Sequence, residues 1–311
     1  MTSKRTIAVC LPHHETNQYQ QLIMNDARRA AEKAGFAIES YFAEGQVITQ
    51  VRQAYDCIRS AASHSIHAII AMPVTDNSLN RAAMDAARAG ISWICLHRQM
   101  DCLSELRRDF PSLAISSVGP DQREIGRIQG KQFRALLPAG GHLLYVQGKA
   151  GTSSARARFD GVKEVVSGTI EIDSLDGNWS AEDAERTVAG WLRMVMSGKT
   201  KLDLIGCQND EMAMGAKKAL ETVATYLNRP DLSSIRVTGC NGLPDFGRRL
   251  VDEGKMAATI IMPSSGAVAV GLLAEAERGK PAPPSVILQC VSYPDEKTLA
   301  GRARNVLSNA K

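Results

Sequence analysis

The chain has 311 residues, a formal charge of +4, 44% hydrophobic residues and 23% charged residues. That mix suits one large or two ordinary folded domains and excludes a disordered chain, and no stretch approaches the ~18 apolar residues of a membrane span. The charge is too small to argue for nucleic acid unless it is focused on one face. The seven cysteines are odd in number, scattered and free of any CxxC pair, which disfavours a disulfide framework or a zinc site and suits a reducing compartment.

The opening MTSKRTIAVCL leads directly into a strand at Thr6–Leu11, so the expectation is a sequence without a secretory leader. A helix follows over Asn17–Ala34, with Leu22, Ile23, Ala27, Ala30, Ala31 and Ala34 on one face and Gly35 placed to end it. Apolar strands at Ala37–Phe42, His67–Met72 and Ile91–Leu96 then alternate with helices at Gly45–Ala62 and Asp76–Ala89. Past a polar stretch at Arg107–Pro111, strand-like runs recur at Leu113–Val118, His142–Gln147, Thr169–Ser174, Leu202–Cys207, Ile235–Cys240, Met256–Met262 and Ser285–Val291. Their spacing of about 30 residues, with helical stretches between most of them, is that of βα units on a parallel sheet covered on both faces. The expected fold class is α/β, with two doubly wound parallel-sheet lobes. Segments Ile115–Asp121, Ile260–Ser264 and Ile287–Ser292 are the candidate crossings. They divide the chain into residues 1–117 with 263–288 and residues 118–262 with 289–311.

Several motifs fail on spacing. SGKTK at Ser197–Lys201 lacks the first glycine of a phosphate loop, since Arg193 stands there, and a helix precedes it. No GxGxxG or GxSxG is present. His13-His14 and His64-x-x-His67 have no accompanying Cys, Asp or Glu cluster, so solvated or structural histidines outweigh a metal site. Nothing pairs a nucleophile with a base and an acid. The expectation is no catalytic residue, no metal and no cofactor. What remains is polar sequence just past the strand C-termini, where open parallel sheets bind ligands.

Four segments are specific in combination: HAIIAMPVTDNSL, VGPDQREIGRIQGKQF, GTSSARARFDGVKEVV and CQNDEMAMGAKKAL. From about Arg5 to Val291 the chain resembles the type I periplasmic binding proteins of ribose-binding type, a fold also used as the effector domain of lac-repressor-type regulators. The resemblance implies a small polar ligand, mostly a monosaccharide, held in a cleft between two lobes joined by a three-strand hinge. By residue, it implies ligand contacts from Asn17, Tyr19 and Gln20 after the first strand and from His97 and Arg98 after the fourth. It adds Arg156 in the GTSxARxR motif, Trp179, Asn209 in QNDEMA, Asn241 in the turn after Cys240, and Met262 beside a crossing. Met72 takes the place of a family asparagine after the third strand.

Aromatic Tyr19 and Trp179 suit the CH face of a sugar, while arginine and asparagine suit its hydroxyls. The departures bear on charge. His97 and Asn241 stand where many sugar binders carry aspartate, so Arg98 and Arg156 lose nearby counter-charges and an acidic ligand competes with a neutral sugar or polyol. Other residues read as structural: Arg158 as a salt-bridge partner, Asp210 as a helix N-cap, Tyr19 also as a staple on its own helix, and Trp93 and Trp191 as core. The expected role is a solute-binding protein, a monomer handing a carbohydrate-like ligand to the membrane permease of an ABC importer or to a receptor, with no nucleic-acid partner. The alternative is a regulator's effector domain without its DNA reader. The family implies the periplasm, whereas the missing leader and the cysteines suggest the cytoplasm.

Overall fold

Uninterrupted apolar runs such as TIAVCL and SWICL can be buried on both faces, and that is where the structure puts them. It is a computed structural model that describes residues 5–64, 66–149, 151–195 and 201–309, with the side chains of 61–64 and 303–309 left aside. Ser197–Thr200 of the failed phosphate-loop match, and the side chain of His64, lie outside the described residues.

The chain divides into two units, Met1–Pro120 with Pro263–Leu288 and Asp121–Met262 with Gln289–Lys311. The first change of unit falls after Pro120 rather than after 117, because Val118, Gly119 and Pro120 stay paired with Val286, Ile287 and Leu288.

Unit 1 contains β1 (Thr6–Leu11), α1 (Gln18–Ala34), β2 (Ala37–Phe42), α2 (Val47–His64), β3 (Ile66–Ala71), α3 (Asn80–Arg88), β4 (Ser92–Leu96), α4 (Leu103–Asp109) and β5 (Ile115–Pro120). Unit 2 begins with α5 (Gln122–Leu136), β6 (Gly141–Gln147), α6 (Ser153–Val166), β7 (Ile170–Asp176), α7 (Ala181–Val195) and β8 (Leu204–Cys207). It continues with α8 (Asp210–Tyr226), β9 (Arg236–Thr238), α9 (Arg249–Asp252) and β10 (Thr259–Ile261). The chain returns to unit 1 for α10 (Gly266–Glu277) and β11 (Ser285–Leu288), then to unit 2 for β12 (Val291–Tyr293) and α11 (Glu296–Asn309).

Unit 1 carries a parallel sheet in the order β11-β5-β4-β3-β1-β2, and unit 2 one in the order β7-β6-β8-β9. Each order reverses once, between β1 and β3 and between β6 and β8. In open parallel sheets such a reversal is where ligands bind, beyond the strand C-termini. In unit 2 one core, including Trp191, Val188 and Leu220, covers one sheet face, and a second, including Phe133, Tyr145 and Val162, covers the other.

Two expectations change. The run Ser285–Val291 is not one strand. Ser285–Leu288 pairs with β5 in unit 1, and Val291–Tyr293 pairs antiparallel with β10 in unit 2. The polar stretch before β5 holds α4, which buries only Leu103 and Leu106. Trp93 and Trp191 are core residues, at 0% and 8% exposure.

Candidate functional site

In unit 1 the residues past β1 and β4 come together with the start of α10. Asn17 is the N-cap of α1, its side chain accepting from the Gln20 amide at 3.1 Å. Gln20 is buried, and its Oε1 accepts from the His13 amide. Tyr19 lies edge-on to His97, ring centroids 5.6 Å apart, and donates its hydroxyl to the Pro263 carbonyl at 3.2 Å. His97 Nε2 lies 3.0 Å from Ser265 Oγ. Arg98, half-buried, follows on the same turn. Met72 is buried, its carbonyl taken by Gln50 Nε2, so its backbone is part of a clamp between β3 and α2.

In unit 2 the cluster is built around an arginine, but not the expected one. Arg156 is exposed and donates to the Gly151 carbonyl. Arg158, expected as a salt-bridge partner, is 4% exposed and has no carboxylate at ion-pair distance among the described residues. Two residues along a helix rotate the side chain by roughly 200°, so the two arginines leave α6 on opposite faces. The packing of α5 on α6 selects the face. A Cβ on Gly126 would stand 2.0 Å from the Arg158 carbonyl, so the backbones touch there and Arg158 is turned toward the strand ends. Its Nε donates to Gln122 Oε1 at 2.8 Å and one terminal nitrogen to the Gln208 carbonyl at 2.6 Å. Softer contacts run to Cys240 Sγ at 3.7 Å and Met262 Sδ at 3.6 Å.

Trp179 presents its ring 5.4 Å from the Arg158 guanidinium. It lies on Gly148, where a Cβ would fall 2.0 Å from a ring carbon. Asn209 has both ends of its amide engaged: Oδ1 accepts from Met212 N at 2.7 Å as the N-cap of α8, and Nδ2 donates to the Trp179 carbonyl at 3.1 Å. Asn209, not Asp210, is therefore the cap. Asp210 is fully buried and accepts from Gly242 N at 2.8 Å and Thr259 Oγ1 at 2.6 Å. Burial outweighs those hydrogen bonds and pushes its carboxyl up to about 6. Glu211 is pushed up to about 7 by burial, and its Oε2 stands 3.5 Å from Asn241 Nδ2. Gln208, fully buried and outside the contacts implied by the resemblance, ties these strand ends together: Oε1 accepts from Gly148 N and Nε2 donates to the Ala155 carbonyl.

The backbone marks the same places. His97, Trp179 and Asn241 have φ of +57°, +64° and +129°. Non-glycine residues hold such angles at a cost of about 1–3 kcal/mol, and such strain gathers at binding sites.

Residues 7–281 match the family model described as "Periplasmic binding protein domain". Among curated relatives, the ribose import binding protein of Salmonella typhimurium is 25% identical over 259 residues, covering 83% of this chain and 79% of that protein. That of Escherichia coli is 28% identical over 188 residues, and the match spans 57% of its length and 60% of this chain. In fold, the chain is similar to an ABC transporter periplasmic solute binding protein of Actinobacillus succinogenes with bound D-allose. The TM-score is 0.79 at 22% identity, covering 96% of this chain and all of that one. A Caulobacter myo-inositol binding protein gives a TM-score of 0.78 at 22% identity over 94% of each chain. With a parallel sheet and a strained, arginine-centred strand-end site in unit 2, and a family match over most of its length, the chain belongs to the periplasmic binding protein domain family and is of the type I, ribose-binding kind.

Proposed function

We propose that the chain is a solute-binding protein. It captures a small sugar-like or polyol ligand at its strand-end loops and delivers it to the permease of an ABC importer. Tyr19, His97 and Arg98 of unit 1, and Arg158, Trp179, Asn241 and Met262 of unit 2, are the contact residues in this reading. Asn17, Gln20 and Asn209 act by holding the loops, because their amides serve as caps and clamps. The single observation that carries the reading is the buried Arg158 guanidinium beside the Trp179 face at the switch point of the unit 2 sheet. An aromatic face and a fixed fork of donors together suit a ring with an apolar face and oxygen substituents. The curated relatives include binding proteins for ribose, xylitol and fructose.

We place its action in the periplasm, as a monomer. The cysteines are compatible with that compartment. Six of the seven are buried, and burial pushes Cys95 and Cys240 up to about 12 and Cys102 and Cys290 up to about 11. The thiolate is the reactive form, so those raised thiols oxidise slowly, whereas Cys57, lowered by its hydrogen bond with Cys10, is the exception.

Calorimetry on wild type, Arg158→Ala and Arg156→Ala with D-ribose, D-allose, D-fructose and xylitol tests the site. Arg158→Ala should weaken binding ~30- to several-thousand-fold, as loss of a buried charge-assisted contact does, while Arg156→Ala stays within about threefold. Equal losses from the two substitutions would remove Arg158 from the centre of the site.

A further inference from the structure

Charge balance around Arg158 says more about the ligand than the presence of an arginine does. Arg158 is 4% exposed, and the contacts of its guanidinium are a side-chain amide oxygen, a backbone carbonyl, a thiol, a thioether and a ring face. None carries a negative charge. Asp210, in the first turn of α8, spends its carboxylate on Gly242 N and Thr259 Oγ1. Glu211 beside it approaches the Asn241 amide, and its other oxygen is buried without a hydrogen-bond partner. A guanidinium taken out of water without a counter-ion carries a large desolvation penalty, which an arriving anion relieves.

The acceptors near it point the same way. The Gln208 carbonyl already accepts from Arg158, the Trp179 carbonyl from Asn209, and Asn209 Oδ1 from Met212 N. A neutral sugar needs acceptors for its hydroxyl protons, whereas an anionic oxygen group donates nothing and takes donors only. Around Arg158 itself the acceptors are thus engaged, and an acceptor left over in unit 2, Glu211 Oε1, lies beside Asn241 instead.

Resting on the solute-binding reading above, we infer that the ligand is a sugar-like molecule bearing an anionic oxygen group, a carboxylate or a phosphate, which serves as the counter-ion of Arg158. The Trp179 face takes the apolar side of its carbon skeleton, and Met262 and Cys240 line the charge with groups that supply no competing anion.

The test compares matched pairs by calorimetry on the full chain: D-galactose against D-galacturonate, D-glucose against D-gluconate, and D-ribose against D-ribose 5-phosphate. The expected result is that at least one anionic member binds ~10-fold or more tightly than its neutral parent, and that its affinity falls with added salt. The sugar acids and the phosphosugar separate carboxylate from phosphate. Arg158→Gln should bring that preference down to about twofold or less, and Arg156→Gln should leave it intact. If Arg158→Gln does not fold, the wild-type preference and its salt dependence decide on their own. Neutral parents binding as tightly as their anionic partners would overturn the inference and leave the solute-binding reading standing. No binding by any member, neutral or anionic, would overturn both.

Discussion

The two units present strand-end clusters at the same topological point of similarly wound sheets, yet the clusters differ in how their polar groups are compensated. In unit 1 the Tyr19 hydroxyl is tied to the Pro263 carbonyl, His97 to Ser265, and Gln20 to the His13 amide. Those three side chains have internal partners, and none of the three contacts is an ion pair. In unit 2 a buried cation sits among neutral groups, and one oxygen of Glu211 has no hydrogen-bond partner. The switch point of a parallel sheet thus fixes where a ligand goes. The compensation of its polar groups, set by a few side chains, decides which ligand.

The contrast depends on Asp210 staying occupied in the turn that carries Asn241. Asp210→Ala leaves the Gly242 amide and the Thr259 hydroxyl without an acceptor, and the glycines packed on the carboxylate, Gly239 and Gly247, lose their contact. A cost of about 2–5 kcal/mol is expected, the largest of this series, read as a lowered midpoint in urea denaturation. An unchanged midpoint would show that the turn stands without Asp210.

The two aromatics sharpen the comparison next. Trp179 is held by backbone contact with Gly148, Tyr19 by a hydroxyl. Gly148→Ala drives a methyl into the Trp179 ring and should destabilise unit 2 by about 1–3 kcal/mol while weakening binding, whereas Tyr19→Phe loses a single hydrogen bond worth about 0.5–1.5 kcal/mol. Calorimetric melting of both variants checks the order, and a Tyr19→Phe loss exceeding that of Gly148→Ala would reverse it.

How much of this was legible in the sequence follows from what each feature depends on. The β1–β4 strands and α1, with Asn17 before it and Gly35 after it, were legible because burial and capping write directly on residue type. The α4 helix was not, since two buried leucines in a charged stretch make no period. Ser285–Val291 read as one strand because composition does not mark where a chain leaves one sheet for another. The motif does not separate Arg156 from Arg158, because both lie in it and residue type does not say which face of α6 packs on α5. The left-handed backbone at His97 and Trp179 is equally silent, for neither residue announces a positive φ as glycine would.

Acid titration probes the same asymmetry with a smaller effect than Asp210→Ala. Asp210 and Glu211 have folded-state pKa values raised to about 6 and about 7 from ordinary values of 3.8 and 4.5. A carboxylate raised on folding holds its proton more tightly in the folded state, so stability falls as pH rises through each window and is level above it. Between about pH 4 and pH 7 the pair should lower stability by about 2–3 kcal/mol, most of it from Asp210, with Glu211 contributing less than its shift suggests because it is only half-buried. His67, lowered by burial and Arg5, works in the opposite direction as pH rises toward its ordinary value. Asp85 and Asp183, held below the usual carboxylate range by their hydrogen-bond partners, titrate under this window. Asp210→Asn can still accept from Gly242 N and donate to Thr259 Oγ1, so it should flatten the slope without the loss expected of Asp210→Ala. A slope of the same steepness in Asp210→Asn would mean that Asp210 does not titrate there.

The smallest expected change comes from His97→Gly, where two effects oppose one another. His97 holds φ at +57°, an angle glycine adopts freely, so the substitution releases about 1 kcal/mol of backbone strain. It also removes the ring that contacts Ser265 Oγ and packs against Tyr19, a loss of about 1–2 kcal/mol for one hydrogen bond and one aromatic contact. The melting temperature should therefore move by no more than about 2–4 °C in a domain of this size. Ligand affinity, which gains nothing from the relief of strain in both free and bound protein, should fall by about tenfold, the equivalent of one lost contact. A melting temperature near wild type together with that loss of affinity would make His97 a ligand contact held in place at the expense of backbone freedom. A large fall in melting temperature with affinity intact would make it a strut between β4 and the start of α10, and would leave unit 1 without a polar contact of its own at that position.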